Sequence, residues 1–171
     1  LGSYGSVMDI SVLLSKGNDS MVAQQKAELA GARLVVTSEP ESGMRFSAGT
    51  LKVLTGGNPI KGKVVYRRPI TVYPTWQIIM ECNTRPTPPA DDDAVWRRLR
   101  QVGWDTVIPE KEWDKRLAQK LAQELPGIAN RLLDGWRDSR DNGIGVPDDV
   151  RTATKEWRDE VDILAQFIDD E

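Results

Sequence analysis

The sequence predicts an α/β fold over residues 1–108, followed by a helical region over residues 109–171. Three observations carry that prediction. Two short apolar, β-branched runs, Arg33–Thr37 and Trp76–Glu81, read as buried strands of the parallel-sheet type. Each run ends abruptly, one at Ser38-Glu39 and the other at Cys82-Asn83 before the proline-rich "RPTPP", which has to leave the sheet. Beyond residue 110 the pattern changes to apolar residues at i, i+3 and i+4, the period of amphipathic helices.

Element by element, "SMVAQQKAELA" at 20–30 has helix-forming composition, with Ser20 as its N-cap and Gly31 as its breaker. Ser47–Leu54 reads as a short helix closed by Gly56-Gly57. Val64–Tyr66 and Ile70–Tyr73 flank Arg67-Arg68-Pro69 and predict a β-hairpin with a basic tip. Tyr66 is expected to pack against the sheet, with its ring stacked on a nucleobase as the alternative. In the C-terminal region, Trp113, Leu117, Leu121 and Leu125 mark one helix over Glu112–Leu125, and Pro126 to Asn142 a second. Pro147 opens a third that carries Val150, Trp157, Val161, Leu164 and Ile168. Trp113, Trp136 and Trp157 are expected to be core anchors.

Composition bounds the chemistry. The 171 residues, 39% of them hydrophobic, suffice for one domain with a sizeable core, or for a domain plus a helical extension. The chain has no histidine, which excludes histidine acid/base catalysis, Ser-His-Asp and Cys-His nucleophiles, and Cys/His zinc sites. Cys82 is the single cysteine, so no intrachain disulfide forms and a reducing, cytoplasmic setting is expected. No apolar stretch has the length of a membrane span and no signal-peptide pattern opens the chain, so no membrane partner is expected.

The net charge of −3 hides a segregation. Between Ser42 and Met80 there is no acid, and there are six bases: Arg45, Lys52, Lys61, Lys63, Arg67 and Arg68. A local basic zone on an acidic chain points to an anionic ligand, although a solvated face has the same composition.

Ligands of open α/β sheets gather beyond the C-terminal ends of the strands. Glu39 and Asn83 both fall there. A carboxylate in that place can hold a Mg²⁺-bound water or take its proton, and an amide beside it can position that water against a phosphate. Downstream, "VWRRLRQV" supplies Arg97, Arg98 and Arg100, and guanidinium suits the charge on a transferring phosphoryl group. Taken singly, each has a plainer reading: Glu39 as a surface acid, Asn83 as a turn residue, Arg97 and Arg98 as ion-pair partners of Asp91, Asp92 and Asp93.

In order along the chain, these segments resemble the phage and plasmid primase–helicases, whose helicase part belongs to superfamily three of the AAA+-like ring ATPases. "GARLVVTSEPE" resembles the Walker B segment of that family. "LKVLTGGNPIKGKVVYRRPITVYPTWQIIMECN" resembles its next motif, its β-hairpin and its sensor-one motif. "DDDAVWRRLRQV" is similar to its arginine-finger segment, and the stretch from "LAQELPGIANRLLDGW" to "LAQFI" to its helical tail. Asn58 stands where the family usually has Asp.

The resemblance implies a partial AAA+-like sheet of the P-loop NTPase type with a β-hairpin insertion and a helical C-terminal region. It implies Glu39 as the acid serving Mg²⁺ and the attacking water, with Glu41 as a second acid near the nucleotide, and Asn83 as the sensor. Arg98, or Arg97 beside it, becomes the finger that reaches a neighbouring subunit's ATP. Lys61, Lys63, Arg67 and Arg68 become the hairpin contacts to single-stranded DNA in the channel of a ring, a hexamer in the parent. The chain also departs from the family in its phosphate-binding loop. The loop G-x-x-x-x-G-K-[ST] that cradles phosphates is missing, since neither "LGSYGS" nor "GGNPIKG" supplies it.

The expectation is therefore a chain that begins downstream of the loop: part of an ATP-dependent DNA helicase of phage or plasmid replication, in the cytoplasm of a bacterial or phage-infected cell. ATP and Mg²⁺ serve the parent, and none is expected on this chain. The alternative is a non-catalytic remnant that binds single-stranded DNA or a replication partner. Loss of a central strand would leave open sheet edges through which copies could pair.

Overall fold

A computed structural model describes residues 2–14, 19–39, 44–64 and 66–162. The architecture is mixed α/β, with a small parallel sheet and several helices. The chain divides into two compact units, Leu1–Leu99 with Trp157–Glu171, and Arg100–Glu156.

In the first unit, β1 (Gly5–Met8), β2 (Leu34–Thr37) and β5 (Gln77–Met80) form a parallel sheet in the order β1-β2-β5. The register sets Gly5 opposite Leu34 and Leu34 opposite Gln77, and Met8, Thr37 and Met80 align at the C-terminal edge. Helix α1 (Asp19–Glu28) makes the crossover from β1 to β2, as parallel neighbours require. It starts one residue before Ser20, so Ser20 lies in its first turn and is not the cap. Gly31, at φ +85°, closes the turn that returns the chain to β2.

β2 is the central strand, with Val35 and Thr37 fully buried and Leu34 and Val36 half-buried. β5 corrects the expectation of a buried strand. It is an edge strand among the described residues, covered on one face only, with Ile78 and Met80 half-buried and Gln77 and Ile79 exposed. β1 was not legible as a strand, because Gly-Ser-Val-Met has little β propensity and places Val7 outward.

Helix α2 (Ala48–Thr55) has the expected Ser47 cap, whose Oγ accepts from Thr50 N, and ends at Gly56. The hairpin forms in a different place from the predicted one. Its strands are β3 (Ile60–Gly62) and β4 (Ile70–Val72), antiparallel, with Ile60 opposite Val72 and Gly62 opposite Ile70. Burial decides this pairing: Ile60 and Val72 join the core, and Gly62 lies against α1 where a side chain would not fit. Lys63, Val64 and Tyr66–Pro69 consequently belong to the connecting tip, and Val64 and Tyr66 are not in a strand.

The core of this unit includes Met8, Leu13, Leu29, Val35, Leu54, Val95 and Trp96, and Trp157 from the last helix joins it. Trp96 ends the short helix α3 (Asp93–Trp96), which Asp92 caps through its side chain at Val95 N.

The second unit contains α4 (Leu117–Gln123), α5 (Leu125–Asn142) and the first turns of α6 (Asp148–Val161). α5 and the start of α6 fall where the periodicity puts them. The predicted helix from Glu112 does not form as such. Asp114 accepts from Arg116 N and pairs with Lys120, making a local turn that delays the helix to Leu117. Trp113 and Trp136 are not core anchors: they are 62% and 57% exposed, and no residue of Arg100–Glu156 is buried. Leu164 and Ile168 lie outside the described residues.

Candidate functional site

The ends of β2 and β5 meet through Glu39. Its Oε1 accepts from the backbone amides of Asn83 and Thr84, each at 2.8 Å, and its Oε2 from Asn83 Nδ2 at 3.3 Å. The sheet produces this meeting. β2 and β5 are adjacent and in register, and Glu81 N donates to Thr37 O, which extends the pairing past the last strand residue. The two residues that the sequence singled out at separate strand ends are therefore one hydrogen-bonded cluster at the C-terminal edge of the sheet.

Glu39 and Asn83 are both exposed, so the carboxylate retains access to solvent. Thr84 is a member of the cluster that sequence reasoning missed. Its contribution is a backbone amide, and only its place after Asn83 could have signalled it. Glu41 lies outside the described residues. Cys82 sits beside the cluster, its thiol pushed up by partial burial and then by the Glu39 charge, against an opposing pull from Arg85.

Arg97 and Arg98 are exposed on the turn that ends α3. Arg97 is its C-cap residue, and Arg98 Nη1 donates to Ala94 O. Asp92 pairs with Lys52 at 2.6 Å and Asp93 with Arg158 at 2.6 Å. The Lys52 contact, reinforced by the amides of Val95 and Ala94, holds the Asp92 carboxyl below its ordinary value.

The hairpin gathers the remaining candidates. Lys61 stands on the exposed face of β3 with its Nζ donating to Thr71 Oγ1 at 2.9 Å. Lys63, Arg67 and Arg68 are exposed on the tip. Lys63 N donates to Ala23 O at 2.7 Å and anchors the tip to α1, while Arg67 N donates to Val64 O at 3.1 Å and closes a turn. Tyr66 lies in that turn at φ +57° and is fully exposed, contrary to the expected packing on the sheet.

The donor set decides what the cluster can hold. Among the described residues no group of three or more His, Cys, Asp and Glu is placed to bind a metal ion. A single carboxylate with an amide beside it suits Mg²⁺ that arrives with its own phosphates and waters, not a dedicated protein cage. No described segment supplies the glycine-rich, lysine-bearing loop that phosphates need. The donors present, one carboxylate with amides beside it, fit the positioning of a water molecule. Among the described residues no helix is long and apolar enough to cross a membrane.

No family model matches the chain. Among curated proteins, it is 30% identical to "Putative helicase L207/L206" of Acanthamoeba polyphaga mimivirus over 99% of its own length. It is 25% identical to "Putative helicase 022R" of Frog virus 3 and 27% identical to "Putative helicase 184R" of Invertebrate iridescent virus 6, each over 82% of the chain. The chain spans 20%, 16% and 18% of the lengths of these three relatives. It is thus related, over nearly its whole length, to a segment of viral proteins that carry a helicase name.

Proposed function

We propose that this chain is the part of an ATP-dependent DNA helicase, of the superfamily-three primase–helicase type, that handles the attacking water and grips the single strand. The observation that carries the reading is the Glu39–Asn83 cluster. A carboxylate held at one strand end by the amides of the next is a fixed proton acceptor with an amide at its side. ATP with Mg²⁺, when bound, would supply the phosphoryl group under attack. Glu39 would take or orient the proton of the water, and Asn83 Nδ2 would hold the carboxylate in place. Arg98, with Arg97 as its neighbour, is proposed to act on the nucleotide of an adjoining subunit of a ring.

Lys61, Lys63, Arg67 and Arg68 are proposed to contact the phosphates of single-stranded DNA. They project from a hairpin whose inner face is committed to the core, so the charged tip is free to track a backbone without reading bases. A second reading has its own support. The paired strands β3 and β4 and the bases Lys61, Lys63, Arg67 and Arg68 all stand together among the described residues, which supports a single-strand-binding module.

The two readings separate by experiment. In the complete gene product, Glu39→Gln should abolish ATP hydrolysis and leave single-strand binding within about twofold, since the substitution removes the proton acceptor and no hairpin charge. The 171-residue chain alone should hydrolyse ATP no faster than buffer with Mg²⁺ and DNA present. ATPase activity of the complete product that survives Glu39→Gln would overturn the helicase reading. Turnover by the chain alone that Glu39→Ala removes would overturn its proposed dependence on a separate phosphate cradle.

A further inference from the structure

Tyr66 occupies a position that nothing among the described residues explains. It is 103% exposed, so its ring packs against none of the described residues. It is the one non-glycine residue at positive φ among the described residues, at +57°. The turn closed by Arg67 N and Val64 O places it third of four, where a positive φ favours Gly or Asn. A bulky aromatic is an uncommon occupant of that backbone conformation. Neither turn chemistry nor packing selects tyrosine here.

The surroundings supply a reason. Arg67 and Arg68 follow directly, Lys63 lies three residues before, and all three are exposed on the same tip. Aromatic rings interleaved with bases of this kind bind single strands by two separable contacts: cations hold the phosphates and the ring stacks on a base. We propose that Tyr66 is a base-stacking residue at the hairpin tip, its ligand an unpaired nucleobase of single-stranded nucleic acid whose phosphates lie on Arg67 and Arg68. This rests on the hairpin's being the single-strand contact and adds a contact to the base itself. Stacking tolerates any base, so the contact adds affinity without sequence preference. The backbone conformation holds the ring outward before the strand arrives.

The test uses fluorescence anisotropy of the 171-residue chain with a labelled oligothymidylate and an abasic oligomer of equal length, across a salt series. Tyr66→Ala should weaken oligothymidylate binding roughly 5- to 150-fold, the range of one lost base stack, with the salt slope unchanged. Tyr66→Phe should bind as wild type does. The wild type should prefer oligothymidylate to the abasic oligomer, and Tyr66→Ala should lose that preference. Arg67→Ala/Arg68→Ala should flatten the salt slope while keeping the preference. Wild-type binding that ignores the missing bases, or a Tyr66→Ala variant that binds and discriminates as wild type does, would overturn the stacking role and leave the hairpin reading standing if the arginine variant fails. Indifference of binding to both the arginine and the tyrosine changes, or no binding by the wild type at low salt, would overturn both.

Discussion

Asn83 donates to Glu39, 44 positions earlier in the chain, through its backbone amide at 2.8 Å and its side-chain amide at 3.3 Å. The pair ties the ends of two neighbouring parallel strands, and a third donor, Thr84 N, makes Glu39 the centre of the tie. Two consequences follow from a carboxylate whose partners are all donors. The geometry depends on the charge, and a second negative charge there would oppose it.

Asn83→Asp tests that opposition through pH. The introduced carboxyl faces Glu39 in place of a donor, so one proton of the pair is held more tightly in the folded state than in the unfolded chain. A carboxyl with a raised folded value costs stability above that value, and the cost vanishes below the unfolded value of roughly 4. The variant should melt with the wild type near pH 3, fall behind as pH rises, and lose about 1 kcal/mol at pH 7, a modest figure because the site is exposed and screened. Melting curves across pH check this. A deficit of constant size at all pH values would assign the loss to the missing donor alone.

Cys82 reports on the same cluster. Burial first, and the Glu39 charge second, push its thiol up, while Arg85 pulls the other way. Since the thiolate is the reactive form, Glu39→Gln should speed alkylation at pH 8 by roughly 2- to 5-fold, and added salt should shrink the difference. Rates with iodoacetamide measure it. Desolvation by the surrounding protein persists in the variant although Cys82 is exposed, so alkylation should remain slower than for a free cysteine.

Three tryptophans with the same helical signature divide sharply. Trp157 is 6% exposed and meets Trp96 edge-on, ring centroids 5.2 Å apart at 79°. Arg158 beside it pairs with Asp93 and lies over Trp96. Trp157→Ala should cost about 3–5 kcal/mol in denaturant unfolding. Trp113→Ala and Trp136→Ala should each cost under about 1 kcal/mol, because both rings are more than half exposed.

That division marks where sequence reasoning stops. Periodicity shows that a helix has an apolar stripe, and α5 and the start of α6 stand where it placed them. It does not show what the stripe meets, so Trp113 and Trp136 read the same as Trp157. The strand ends were legible because an apolar run stopping at Glu39 or Cys82-Asn83 is a local feature. Their meeting was not, since register between strands 40 residues apart depends on the whole sheet. The hairpin shows the same limit in reverse. Val64–Tyr66 has the better strand composition, yet Ile60 and Gly62 pair with β4 because they fit the core and α1.

Gly62 is the residue on which that placement turns. A Cβ built there would lie 2.7 Å from Ala27 Cα, 2.8 Å from Ala27 Cβ and 2.8 Å from Ala27 N. These are atoms of the α1 backbone and its first side-chain carbon, so no flexible side chain can yield. Gly62→Ala must push β3 away from α1, straining the burial of Ile60 and Val72 and the Lys63 N to Ala23 O bond that anchors the tip. The expected cost is about 1–3 kcal/mol, the usual range for overpacking a fitted contact. No hairpin charge is lost, so single-strand binding should weaken with the salt slope intact, the opposite signature to removing Arg67 and Arg68. Melting and anisotropy on the same preparation check both halves. A variant as stable as the wild type would mean that β3 can leave α1 without cost, and the close approach at Gly62 would then not fix the hairpin.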